Sequence, residues 1–229
     1  MKKSMFKRCL LLLGVIVTSC QLTMAQDVAN KKSEAQKYKE VVEGRADKIV
    51  RTLEIKDSVV YYSVKETIAN HYIQLNDVYA ERDTQINVSK RTNTDKMTLD
   101  SAKARAERTV EGKVSVVHRE FLSALSQKLD QAQIDKVKDG LTYNVLNVTY
   151  KAYNDMIPSL TEPQKSQIMA WLIEAREHAM DGESSDKKHW WFGKYKGRIN
   201  NYLAAQGYDL QAERAAWEKR TAENKEKRN

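Results

Sequence analysis

An all-α fold, a single-domain bundle of about six helices, is predicted by three features of the sequence. Breakers are scarce: the 229 residues include two prolines and eight glycines. Ala, Glu, Lys, Gln and Arg, all good helix formers, are abundant. Apolar residues also recur every three to four positions along most of the chain.

The elements follow in order. Lys2, Lys3, Lys7 and Arg8 precede the apolar run Leu10–Val17. That run is too short for a permanent membrane anchor and has the layout of an export signal. Two processing sites fit it. Thr23-Met24-Ala25 before Gln26 suits removal of residues 1–25 as a secretory signal. Val17-Thr18-Ser19-Cys20 suits a lipoprotein signal of residues 1–19, with Cys20 as a lipid anchor. Either way an exported protein is expected, in the periplasm, at the outer membrane or outside the cell. Cys9 and Cys20 are the only cysteines, so the mature domain is expected to fold without disulfides. The net charge is +8, and the four cations of the first 25 residues supply half of it. So small a remainder argues against nucleic acid as a partner. No later apolar run is long enough to span a bilayer.

The helical domain is expected over residues 30–212. Tyr38, Val41, Val42, Ile49, Val50 and Leu53 mark a first helix. Asp57 is placed to cap a second, striped by Val64, Ile68, Tyr72, Leu75 and Tyr79. The polar stretch Asn87–Asp95 reads as a turn, and Leu99–Leu125 as a third helix. Asp130 and Thr161 each fit an N-cap, with Gln133 and Gln164 three residues on to complete capping boxes. These start two units, Gln131–Ile157 and Glu162–Asp181. Two apolar stripes on Leu141–Tyr153 predict a central, largely buried helix there. Gly182–Asp186 reads as a loop and Gly207 as a helix C-cap. Residues 213–229 are charged and nearly free of apolar side chains, and read as a frayed or disordered tail.

The densest cluster of ligand-gripping side chains is His189–Leu203. On a helix, Phe192, Tyr195, Ile199, Tyr202 and Leu203 form a core stripe. Trp191, Lys194, Arg198 and Asn201 share the adjoining side. An indole covers the C–H face of a sugar ring, and guanidinium grips a carboxylate, so these four are the candidate ligand-binding residues for a carbohydrate, including an acidic one. The plainer reading packs Trp191 under a neighbouring helix and solvates the cations. Gly193 and Gly197 read as a point of close helix approach. Glu174, His178 and Asp181 fall on one face of the preceding helix, with His189 nearby. They are weak catalytic candidates, more simply read as a solvent face. His71 and His118 read as isolated helix-surface or core-edge histidines. No phosphate loop, nucleophile motif or cysteine metal site occurs, and neither a metal nor a cofactor is expected.

Leu160–Asp181, the run Phe192-Gly193-Lys194-Tyr195-Lys196-Gly197-Arg198-Ile199-Asn200-Asn201-Tyr202-Leu203 and Gln206-Gly207-Tyr208-Asp209-Leu210 resemble an uncharacterised family of secreted bacterial proteins, a domain of unknown function to which sugar binding is ascribed. The likeness spans roughly residues 30–212. It implies a place beside glycan-utilisation systems and carries over no catalytic residue. The Leu160-Thr161-x-x-Gln164 pattern is also similar to helix starts of small periplasmic chaperones, although it is mainly a capping box. The leading expectation is an exported carbohydrate-binding protein. A chaperone-like interaction protein and a glycan-acting enzyme are the alternatives.

Overall fold

The computed structural model describes residues 34–92 and 95–226. The export signal, both processing sites and Cys20 lie outside them. The chain divides into two units, Met1–Arg45 and Ala46–Asn229. The described part of the first is helical, with Gln36 donating to Glu40 at 3.4 Å and Lys39 pairing with Glu43 at 3.8 Å. All that follows concerns the second.

Among the described residues every regular element is helical. Within this unit α1 covers residues 46–50 and tightens into the turn Arg51–Leu53. Then come α2 (Ser58–Thr92), α3 (Lys96–Ser126), α4 (Gln131–Leu141), α5 (Val145–Met156), α6 (Glu162–Met180), α7 (Ser185–Ala205) and α8 (Leu210–Glu226). The fold class is as expected, with eight helices among the described residues rather than about six.

Local chemistry sets the starts. The Asp57 carboxylate accepts from Val59 N at 2.7 Å and Val60 N at 3.1 Å. Asp130 and Gln133 bond reciprocally at 2.8 and 3.2 Å, and Thr161 N donates to Gln164 at 2.9 Å. Leu129 and Ile134 are both buried, as a hydrophobic staple requires. Gly207 ends α7 at φ 92°, open to glycine without strain.

The long helices α2 and α3 run antiparallel, since His71 stacks on Phe121 while Arg82 lies 3.9 Å from Glu107. A second core joins α5, α6 and α7 through Leu146, Ile168, Leu172, Phe192 and Ile199. Two buried cations tie the layers. Arg176 of α6 pairs with Asp135 and, at 2.8 Å, Asp139 of α4. Lys188 of α7 donates to Leu141 O at 2.9 Å and Met180 O at 3.2 Å, so one ammonium caps the C-terminal ends of α4 and α6.

Five expectations change. The unit Gln131–Ile157 breaks into α4 and α5, because Tyr143 and Asn144 adopt positive φ of 57° and 58° and Thr142 bonds back to Lys138 O. The polar stretch from Asn87 stays helical through Thr92. Helix α5 is buried on one face only: Leu146 and Tyr153 are interior, whereas Val148 is 62% exposed. Gly193 and Gly197 admit no close neighbour, since a Cβ at either would meet nothing within 4 Å. Residues 213–226, charged as they are, belong to α8. Asp209 caps its start, and Arg220 donates to Met156 O at 3.0 Å.

Candidate functional site

A cleft of about 650 Å³ opens where α2, α3, α6 and the start of α7 meet. Its floor is a carboxylate held between two imidazoles. Asp181 is the residue after α6. His118 comes from α3, on the flank of the stripe that buries Val117 and Phe121. His71 comes from α2, three residues after Ile68 and four before Leu75, and so lies on the apolar stripe itself.

His118 Nδ1 donates to Asp181 Oδ2 at 2.7 Å. A carboxylate only accepts, so this bond fixes the tautomer and leaves Nε2 as the nitrogen for the cleft that His118 lines. His71 Nε2 stands 3.1 Å from Asp181 Oδ1, outside hydrogen-bond alignment, and His71 Nδ1 has no hydrogen-bond partner among the described residues. His71 is 1% exposed, sealed beneath Phe121 at 3.9 Å between rings. Tyr79 Oη donates to the Asp181 carbonyl at 2.9 Å, so α2 grips both main chain and side chain of this end.

The three groups titrate unlike free side chains. Burial works to raise the Asp181 pKa, but the His118 bond and the His71 contact outweigh it and hold the carboxyl below its usual range. His118 is raised, chiefly by its bond to Asp181 and against partial burial. His71 is lowered by burial, which outweighs the nearby carboxylate and keeps the ring neutral. Burial also pushes the Tyr79 hydroxyl up to about 12.

The walls are aromatic and charged. Trp190 is 51% exposed and meets Trp191 edge-on at 4.9 Å. Lys187 Nζ lies 4.5 Å from the Trp190 ring centre. Arg82 closes one end, 2.6 Å from Glu183 and stacked on Tyr79 at 5.2 Å. Glu177 is held by Lys138 through both oxygens, at 2.8 and 2.9 Å.

The expected binding face is divided. Trp191 is partly buried against the second core, stacked on His178 at 4.4 Å, with Lys194 5.0 Å from its ring centre. Arg198 instead lies over Trp171 at 4.7 Å and 3.6 Å from Glu174. Asn201 is exposed one turn further on. Of these four only Trp191 lines the cleft. The face Glu174, His178 and Asp181 also separates: Glu174 goes to Arg198, His178 to Trp191, and Asp181 turns inward. His189 bonds Ser185 O at 2.8 Å and stacks on Tyr143, away from the cleft lining. The residues that sequence reasoning missed are His71, His118 and Trp190. For His71 a signal existed, its place on the apolar stripe, whereas His118 lies only beside one.

These features define an all-helical protein with a buried imidazole–carboxylate centre under an aromatic-walled cleft. The chain belongs to the family described as protein of unknown function (DUF3826), whose profile matches residues 39–222 and so spans the whole centre. No curated protein matches it. No described helix is long and apolar enough to cross a membrane.

Proposed function

We propose that the protein is an exported carbohydrate-binding protein whose saccharide lies in this cleft against the indole of Trp190. The observation that carries the reading is the half-exposed Trp190, standing at the mouth of a concave site whose floor is polar. A half-exposed indole, overlaid by the flexible Lys187 and Lys194 chains at 4.5 and 5.7 Å, beside convergent hydrogen-bonding groups suits the C–H face and hydroxyls of a sugar ring. The family likeness and the export signal read from the sequence point the same way.

Charge selects among sugars. Glu107, Glu111, Glu177, Asp181 and Glu183 line the cleft against Arg82 and Lys187. An anionic ligand would enter against that field, so a neutral saccharide is favoured here. The carboxylate fork that an acidic sugar needs would be Arg198, which lies with Glu174 and Trp171.

A glycan array with purified protein tests the reading. Wild type binds neutral saccharides, and Trp190→Ala weakens binding about tenfold or more, as loss of an aromatic anchor does. Arg198→Ala and Asn201→Ala leave it unchanged. An array with no bound glycan, or a Trp190→Ala protein that binds as wild type does, rejects the proposal.

A further inference from the structure

We infer that the cleft also turns its ligand over: His118 is the acid–base group for hydrolysis of an acyl ester on a neutral saccharide, and Asp181 is the positioning residue that fixes its ring. The substrate class rests on the binding reading above; the chemistry rests on the centre itself.

The centre is badly made for a structural tie. A carboxylate at a helix C-terminus faces the negative end of the peptide dipoles, and Asp181 is 7% exposed there. His71 is buried beside it, its Nδ1 without a hydrogen-bond partner among the described residues. Elsewhere this fold builds its ionic ties from arginine or lysine, as Arg176 does on Asp135 and Asp139 and Lys138 on Glu177. What the imidazole centre supplies is different: one ring nitrogen locked by a carboxylate and the other turned to a concave space.

The lining narrows the reaction. Glycoside hydrolysis uses two available carboxylates flanking the bond. Here Lys138 holds Glu177, Arg82 holds Glu183, and Asp181 is engaged by the histidines. Glu107 and Glu111 remain, but they stand one turn apart on α3 and so on one wall, not on opposite sides of a bond. Elimination from a uronate would carry an anion into a cleft whose charged side chains are mostly carboxylates. Ester hydrolysis needs one group that takes a proton and gives it back. Neutral His118 removes a proton from water through Nε2 as the water oxygen bonds to the acyl carbon, moving the carbonyl electron pair onto oxygen. The tetrahedral anion collapses, the acyl C–O bond to the sugar breaks, and the sugar oxygen takes the proton from His118. Water and ester become a carboxylic acid and a free hydroxyl, and His118 ends neutral. Lys187 is the lining cation placed to meet the oxyanion, since Arg82 is engaged by Glu183.

Asp181 and Glu177 of the α6 end, Lys138 of α4 and His71 of α2 surround His118, with Glu111 on its own helix and Lys187 of α7 on the same cleft. The two carboxylates dominate, so the rate rises with pH on a limb lying above the ordinary imidazole value of 6.5.

The test measures acetate release by NMR from acetylated neutral oligosaccharides, using the full mature protein. Wild type releases acetate. His118→Ala loses about a hundredfold or more, and added imidazole restores part of the rate. Asp181→Asn lowers kcat and moves the pH limb. Melting curves show which variants fold, and the imidazole rescue and wild-type pH profile stand apart from variant stability. No acetate from saccharides that the array shows bound, or a His118→Ala rate equal to wild type, overturns the inference and leaves the binding reading standing. Release of an unsaturated sugar instead assigns elimination and overturns it equally.

Discussion

Asp181 sits where a carboxylate is worst placed, at the C-terminal end of a helix and nearly out of water. It stays ionised because His118 and His71 close on it. The two imidazoles respond oppositely to pH. The raised His118 contributes stability that is fully present below 6.5 and is lost as pH climbs through its higher folded value. The lowered His71 works the other way: between 6.5 and its depressed value the unfolded chain binds the extra proton, so acid removes stability. Two-dimensional NMR of the ring nitrogens should therefore show His118 titrating above 6.5 and His71 remaining neutral below it. Both rings titrating together near 6.5 would contradict the geometry. Asp181→Asn should lower unfolding free energy by about 1–3 kcal/mol in a denaturant series at pH 6, because it weakens a buried acceptor. His71 was half legible: its spacing placed it on the α2 stripe. Nothing in the sequence said that a carboxylate 110 positions away would meet it.

At the scale of elements, sequence reasoning worked best where the chemistry is local. The capping boxes at Asp130 and Thr161 and the glycine stop at Gly207 depend on neighbours within a few residues, and all three form. It failed where the reason lies in a partner. Gly193 and Gly197 suggested a helix contact, but they face open space on α7. Each should therefore act as an ordinary helix-interior glycine, and Gly193→Ala or Gly197→Ala should stabilise the protein by about 0.5–1 kcal/mol in thermal melts. Gly140 is the reverse. A Cβ there would lie 2.8 Å from Ile49 Cγ1, so Gly140→Ala should destabilise by about 1–3 kcal/mol through overpacking. The break between α4 and α5 was equally hidden, because it rests on two residues, Tyr143 and Asn144, at positive φ rather than on a glycine or proline.

At the scale of the whole unit, the all-helical class was readable from composition and period, and the site was not. Its parts come from α2, α3, the end of α6 and the start of α7, and helical periodicity says which side of a helix is apolar but not which helices meet. The cluster at His189–Leu203 pointed to the element that walls the cleft, but its four candidates do not share one face: Trp191 leans on His178, Arg198 turns to Trp171, and the half-exposed indole is Trp190. Because Trp190 is half exposed, Trp190→Ala should leave the melting temperature nearly unchanged while weakening ligand binding about tenfold or more. The most direct test of the cleft is NMR shift mapping with a neutral saccharide taken from the array. Perturbations should centre on the His118 ring and the Trp190 indole. Shifts confined to Arg198 and Asn201, or to the groove between α5 and α8, with His118 and Trp190 silent, would contradict the account.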